Sequence, residues 1–407
     1  MAKAELTKIP ASQMLVGLTI KLPLKWTQHP FFINRIKLKS LAQIELIRGL
    51  DLSFVYVLSG HELLPETIDE VEDASEAEDA AKPKTKGSAL DSKSAAIKAM
   101  RIGQQRFLNN INESRSVFAK VGLDPEAAYR DAATLVEGLV EHLQETDTPY
   151  LTLVGSGEME VSVTQHGISV AVLSLMIGHA LDLPKSDMRD LALGSLFHDF
   201  GKLKIPENIR RKRNDLSEPE RNYLKMHPNL GFDTLNACSL YPKNVLNIVL
   251  HHHEYIDGSG YPDHLTEKDI PQLTQIVSLV NDYEDLLAQF TFSPQLALGT
   301  LFKSHAKQHS QSLIGILVKV LGIFPPGTLV SLSDGSIGKV MMTTSEVKQP
   351  HVWSCNHAGG EPNLRFLLEE DVTVSSVLKL EELTEGALKT LQADSPISFY
   401  FSAMPDS

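Results

Sequence analysis

The sequence predicts a mainly α-helical protein with a small α+β domain at its start and a short β appendage at its end. Three observations carry that expectation. Apolar residues recur at helical intervals through much of 93–287, short units of changing pattern fill 9–65, and alternating apolar residues around a Pro-Pro-Gly turn follow Gly322.

Within 1–70 the units are Met14-Leu15-Val16-Gly17-Leu18, the stretch from Trp26 to Phe32, a helix around 41–48 and the strand-like Phe54-Val55-Tyr56-Val57-Leu58. The segment 71–92 is rich in Ala, Glu, Asp and Lys and almost without large apolar side chains, so it reads as a disordered linker. Helical spacing then covers 93–120 and 125–144. Between them lies the break Gly122-Leu123-Asp124-Pro125, with Asp124 as cap and Pro125 in the first turn. Further helices are expected over 161–181, 185–199, 217–226, 243–253 and 270–287; in the last, Ile270, Leu273, Val277 and Val280 face the core. The helical domain is placed at 93–322. Beyond it, Phe324-Pro325-Pro326-Gly327, the Asp334-Gly335 turn and Val372, Val374 and Val377 give a β-containing appendage over 323–407.

A length of 407 residues leaves room for two or three domains, and a net charge of -13 argues against a duplex nucleic-acid binder, which needs a basic surface. The run Arg210-Arg211-Lys212-Arg213 is read as a solvated loop. Cys238 and Cys355 cannot build a disulfide framework. With no apolar segment at the N-terminus and no window of about 18 apolar residues, a cytoplasmic protein with no membrane span is expected. Trp353, Cys355 and His357 lack partner cysteines and are not read as a metal site.

The segment from His251 through His252, His253, Glu254, Tyr255, Ile256, Asp257, Gly258, Ser259, Gly260 and Tyr261 to Pro262 is hard to explain by packing. A lone histidine is usually a core residue with its hydrogen bonds satisfied; three in a row beside a glutamate point to a metal. Gly258 and Gly260 give the chain freedom to turn away, and Pro262 fixes the end of that turn. His166, His198-Asp199, His227-Pro228 and Asp282 extend the series. Imidazoles with carboxylates and no thiolate suit borderline divalent ions.

That ordered series, with His198-Asp199-Phe200-Gly201-Lys202, Ile205-Pro206-Glu207, His227-Pro228 and the Gly-Ser-Gly-Tyr-Pro run, resembles the HD-GYP family of cyclic di-GMP phosphodiesterases. The small N-terminal region is similar to the domain that often precedes HD-GYP domains in bacteria. The resemblance implies an all-helical HD-type metallohydrolase bundle and hydrolysis of cyclic di-GMP to linear pGpG or GMP. It implies two divalent metal ions, iron or manganese favoured. One would be held by His166, His198, Asp199 and Asp282, the other by Asp199 as a bridge with His227, His252 and His253. Asp199 and Lys202 would serve catalysis, Lys202 by neutralising a phosphate oxygen, with Glu254 and Asp257 supporting the histidines and Gly258, Gly260, Tyr261 and Pro262 forming the adjoining loop. His251 matches no family ligand.

Two departures from the family stand out. The glutamate that serves a third metal in some members is replaced by Ser162, with Glu158 and Glu160 out of register, so two ions are expected. The basic residues that bind substrate phosphates after the last aspartate give way to Thr291 and Pro294. That loss admits a rival reading, a degenerate module that binds cyclic di-GMP or a diguanylate cyclase (GGDEF) partner without turnover. A mixed cyclic dinucleotide is a third possible substrate, and a homodimer is a reasonable assembly.

Overall fold

The computed structural model describes residues 7–23, 35–38, 44, 54–60, 87–157, 161–212, 216–289 and 293–402, with side chains omitted over 87–92. The chain divides into two compact units. The first comprises Met1–Ile97, Leu329–Lys339 and His351–Ala393, the second Lys98–Thr328, Val340–Pro350 and Asp394–Ser407.

In the first unit, β1 (Thr7–Pro10), β2 (Thr19–Lys21), β3 (Arg35–Lys37) and β4 (Phe54–Ser59) form an antiparallel sheet in the order β1-β4-β2-β3. Period-2 alternation sends Val55 and Val57 of β4 inward with Ile9, Leu18 and Ile20, while Phe54 and Tyr56 meet edge to face on the other side at 5.4 Å. Of the helix expected over 41–48 only Ile44 is described, and it is buried in this core. Trp26 and Phe31 lie outside the described residues. The same unit contains the hairpin of β6 (Leu329–Leu332) and the start of β7 (Ile337–Met342), turned at Asp334-Gly335 as the sequence predicts; Gly335 has φ +85°, and Asp334 Oδ1 accepts from the Ser336 amide. β8 (His351–Cys355) pairs with β9 (Asn363–Phe366), and β10 (Val374–Val377) with β6.

The second unit is built from α1 (Gly87–Lys120, from Lys98 onward), α2 (Pro125–Leu143), α3 (Val163–Ala180), α4 (Lys185–Phe197), α5 (Glu207–Arg210), α6 (Glu218–Leu224), α7 (His227–Asn236), α8 (Lys243–His251), α9 (Gln272–Gln289), α10 (Pro294–Ser304) and α11 (Gln311–Leu321). The small helix α12 (Glu385–Leu391) belongs to the first unit. α1 begins inside the stretch expected as linker, and 71–86 lies outside the described residues. The Asp124 cap is present, its carboxylate accepting from the Ala127 amide, with Pro125 opening α2.

α3 is the central helix. Every residue from Gly167 to Gly178 is buried, against α4, α9, α11 and the last strand. Contrary to expectation, it is long and apolar enough by composition to cross a membrane, but 78% of that window is buried within the protein, as in a core helix.

The all-helical expectation also needs correction. β5 (Tyr150–Val154) runs antiparallel to β11 (Ser398–Ser402), with Thr152 also opposite Met342 of β7, so the helical unit carries strands on one side of its core. Phe399, Tyr400 and Phe401 are buried there, on the strand that packs against α3. Each of these strands is five residues long, and its partner lies about 250 positions away. A local hydrophobic pattern cannot pair them.

Candidate metal centre

Three histidines of the second unit stand one to three residues past the end of a helix, and each is oriented the same way. The last carbonyls of a helix have no N–H partner within it. His198 follows the end of α4 and its Nδ1 lies 2.7 Å from Ser195 O; His227 follows α6 with Nδ1 2.7 Å from Leu224 O; His252 follows α8 with Nδ1 2.9 Å from Val249 O. A carbonyl only accepts, so Nδ1 carries the hydrogen and donates it. Nε2 is left with its lone pair pointing inward.

These nitrogens converge on Asp199, which sits where the chain leaves α4 for a tight 3-10 turn over Phe200–Lys204. Asp199 Oδ2 faces His166 Nε2 at 3.6 Å and His198 Nε2 at 3.5 Å, while Oδ1 faces His227 Nε2 at 3.2 Å and His252 Nε2 at 3.7 Å. Ligand atoms of His166, His198 and Asp199 lie within 4.8 Å of one another, as do those of Asp199, His227, His252 and His253. The carboxylate thus offers one oxygen to each group. His227 Nε2 and His252 Nε2 are 3.0 Å apart, and two lone pairs aimed at each other repel unless a cation takes them both. His198 Nε2 and Asp199 Oδ1 are buried with no hydrogen-bond partner. An orphaned pair of that kind is what a coordinating site presents.

The electrostatics agree. Burial pushes His166 and His252 down to about 3 and lowers His227 and His253 as well, so all four are neutral near pH 7. Burial alone would raise Asp199; the Lys202 ammonium, 2.6 Å from Oδ2, and His198 outweigh it and hold the carboxyl well below its usual range. Neutral imidazoles and an ionised carboxylate are the protonation states metal ligation requires. The nitrogen-rich, thiolate-free donor set fits a borderline divalent ion.

The Gly-Ser-Gly-Tyr-Pro loop shapes one wall. Tyr261 stacks on His253 at 4.7 Å with an interplanar angle of 15°, and Lys225 Nζ lies over the Tyr261 ring, 5.3 Å from its centroid. A Cβ at Gly260 would stand 2.5 Å from Glu254 Cα, His253 O and Tyr255 N, so only glycine lets the loop fold back so closely. Gly258 has φ +77°, and the Tyr261-Pro262 peptide is cis. Glu254, buried, accepts from the Asp263 and Leu265 amides at 2.6 and 3.0 Å, clamping the loop rather than touching a ring. Asp257 holds its own turn through the Ser259 amide and hydroxyl. His251 pairs with Asp263 and stands apart from the cluster.

Asp282 is where the expected ligand set and the structure part. Its Oδ2 accepts from His305 Nδ1 at 2.7 Å and His309 Nε2 at 2.9 Å, and it belongs to neither converging group. The residue of α9 that reaches the centre is Asn281, whose Oδ1 is 3.0 Å from His166 Nε2. Neighbouring residues on a helix point about 100° apart, so reading one position late turns the side chain to another face. Asp285, one turn beyond Asn281, was not singled out either; desolvation, with Asp199 and Asp282 nearby, pushes its carboxyl up to about 6 against the pull of Lys202. Spacing by four from Val277 would have found both residues.

Ser162 caps α3, its hydroxyl accepting from the Gln165 amide, and Pro294 opens α10. Thr291, Glu158, Glu160 and Arg213 lie outside the described residues.

An HD domain family model matches residues 152–311, and a domain of unknown function, DUF3391, matches residues 6–132. A cyclic di-GMP phosphodiesterase of Pseudomonas aeruginosa is 25% identical over 356 residues, covering 83% of this chain and 81% of that protein. The cyclic di-GMP phosphodiesterase response regulator RpfG of Xanthomonas campestris is 33% identical over 114 residues, 28% of this chain and 30% of that one. Among solved structures, an HDG"Y"P protein from Bdellovibrio bacteriovorus aligns with a TM-score of 0.45 at 18% identity, over 78% of this chain and 99% of that chain.

Proposed function

We propose that the chain, which matches an HD domain behind a DUF3391 domain and is similar to cyclic di-GMP phosphodiesterases, is a metal-dependent phosphodiesterase that hydrolyses cyclic di-GMP to linear pGpG, GMP or both. The observation that carries this reading is the two-sided use of Asp199, one oxygen toward His166 and His198 and the other toward His227 and His252. His166, His198 and Asp199 would hold one divalent ion, and Asp199, His227, His252 and His253 a second, with iron or manganese favoured. Ions held there would supply positive charge near the phosphodiester oxygens and would lower the pKa of bound water.

The protein's own groups do the rest. The backbone carbonyls of Ser195, Leu224 and Val249 fix each imidazole in the tautomer that leaves Nε2 free, so no reorientation is needed when substrate arrives. Lys202 brings an ammonium to the same cavity. Its hydrogens face Asp199 Oδ2, and a phosphate oxygen placed there would share them, stabilising charge that grows as the P–O bond breaks. The stack of Tyr261 on His253 restrains that ring and covers one side of it from water. Glu254 sets the loop that carries Tyr261.

Cys238 and Cys355 are both free, which accords with a cytoplasmic site of action. A homodimer and diguanylate cyclase partners belong to the same proposal, and gel filtration with and without a GGDEF protein tests them. The activity test is to purify the protein anaerobically, incubate it with cyclic di-GMP and separate the products. Release of pGpG or GMP, lost in Asp199→Ala, is expected. Tight binding of the cyclic dinucleotide with no turnover in the metal-loaded protein would overturn the reading, and faster cleavage of a mixed cyclic dinucleotide would reassign the substrate.

A further inference from the structure

A cyclic dinucleotide closes its ring with two phosphodiesters, and the groups described so far serve only the one that is cut. The other carries a negative charge of its own. α9 and the start of α10 offer it nothing, since no lysine or arginine occurs between 269 and 302. The segment from Lys202 to Lys225 is the reverse: it holds eight lysines and arginines in a chain whose net charge is -13.

Some of these cations are already neutralised. Arg211 pairs with Glu207 at 2.8 Å, Lys212 with Glu220 at 2.9 Å and Lys202 with Asp199 at 2.6 Å. Arg210 and Lys225 form no ion pair among the described residues, yet each is held beside the metal centre. Arg210 Nη1 donates to the Lys202 carbonyl at 3.4 Å, so the guanidinium lies against the turn that follows Asp199. A guanidinium has five N–H groups, and that contact uses one. Lys225 stands two residues before His227, and its ammonium lies over the ring of Tyr261, which stacks on His253. Gly201 brings the two segments together, because without a Cβ there the turn can press on the His227 carbonyl and the Gly231 amide. One cation thus adjoins Lys202, and the other adjoins His227 and His253. A backbone carbonyl and an aromatic face restrain a positive group without cancelling its charge.

We propose that Lys225 and Arg210 bind the uncleaved phosphate of cyclic di-GMP while the ions and Lys202 hold the phosphate that is cut. Lys225 acts as a point charge, and Arg210 offers paired N–H groups to two phosphate oxygens. The pair therefore sets substrate choice, favouring an anion with two phosphates over a simple diester. The inference rests on the phosphodiesterase reading above and adds to it how this chain recognises a cyclic dinucleotide.

The test is steady-state cleavage of cyclic di-GMP and of bis(p-nitrophenyl) phosphate, a diester with one phosphate, by the metal-loaded full chain. A contact made equally in the ground and transition states raises KM when it is lost and spares kcat. Lys225→Met and Arg210→Met should each raise KM for cyclic di-GMP about tenfold or more and lower kcat by less than about threefold, and Lys225→Arg should stay within about threefold of wild type in KM. In both methionine variants the loss in kcat/KM should be at least about fivefold larger for cyclic di-GMP than for the single-phosphate diester. KM values close to wild type in both, or equal losses on the two substrates, would overturn the proposal. Metal analysis should find the wild-type ion content throughout. Loss of an ion from Lys225→Met would overturn the role of this lysine, which would then act through Tyr261 and His253, and Arg210→Met, remote from both rings, decides the rest. If wild type binds cyclic di-GMP without cleaving it, the phosphodiesterase reading fails and calorimetry still decides this one: weaker binding by about tenfold in the two variants supports it, and unchanged Kd overturns it. A wild type that neither binds nor cleaves the dinucleotide overturns both.

Discussion

Gly201 is the point at which backbone packing and the metal centre meet, and replacing it with alanine should damage both. The turn after Asp199 lies directly against the first turn of α7. A Cβ built on Gly201 stands 2.6 Å from Gly231 N and 2.9 Å from the His227 carbonyl carbon, and closer still to the His227 oxygen. Ordinary contact begins at 3.4 Å, so the two segments would have to part by about 0.8 Å or more, and every atom in the way belongs to backbone. Overpacking of a well-packed interior costs about 1–3 kcal/mol, and with no flexible side chain to yield, the upper end applies. For a unit of this size that corresponds to a fall in Tm of roughly 6–12 °C. The same separation pulls His227 away from Asp199, now 3.2 Å apart, and losing geometry of that kind weakens a metal by about 10–100-fold. Differential scanning calorimetry and metal analysis of Gly201→Ala read the two effects separately. A variant with wild-type Tm and wild-type metal content would show that the close approach of this turn to α7 does not set the site.

Other perturbations separate the roles of neighbouring groups. Asp282→Asn should lower stability by about 1–3 kcal/mol, since His305 and His309 lose a charged acceptor, yet leave metal content unchanged; loss of an ion would return Asp282 to the ligand set. Tyr261→Leu removes the ring stacked on His253 and should weaken metal binding by up to about tenfold, an aromatic contact of this kind being worth about 0.5–1.5 kcal/mol; titration with manganese measures it. Glu284 is buried with Oε1 lacking a partner, and burial pushes its carboxyl up to about 8. Because that value lies above the unfolded one of 4.5, the folded state keeps its proton longer, and wild-type stability should decline as pH rises from about 4.5 to about 8. Glu284→Gln should match wild type at pH 4.5 and exceed it at pH 8 by on the order of a few kcal/mol in urea melts; equal pH slopes would contradict the burial argument.

Much of the centre was legible because its residues are costly anywhere else. His198, His227, His252 and His253 stand at or beside helix ends in sequence, where free carbonyls can orient them, and Asp199 follows at once. Which face of α9 meets His166 was not, since Asn281 and Asp282 are adjacent and a carboxylate is the more obvious ligand. Only the rotation of the helix, set by Val277 and its neighbours, decides which of them faces His166. α10 and α11 went unnoticed, although Leu313, Ile314, Leu317 and Leu321 carry helical spacing and are buried. The pairing of Tyr150–Val154 with Ser398–Ser402 could not be read at all, because register between strands so distant in sequence exists only in the folded chain.

Asp199 is the hinge of the account, and counting ions is the shortest way to test it. Wild-type protein purified without oxygen and saturated with iron or manganese should carry two ions per chain, and folded Asp199→Ala should carry at most one, held weakly. Two ions retained at full affinity by the alanine variant, or none bound by the folded wild type, would contradict a centre built across a shared carboxylate.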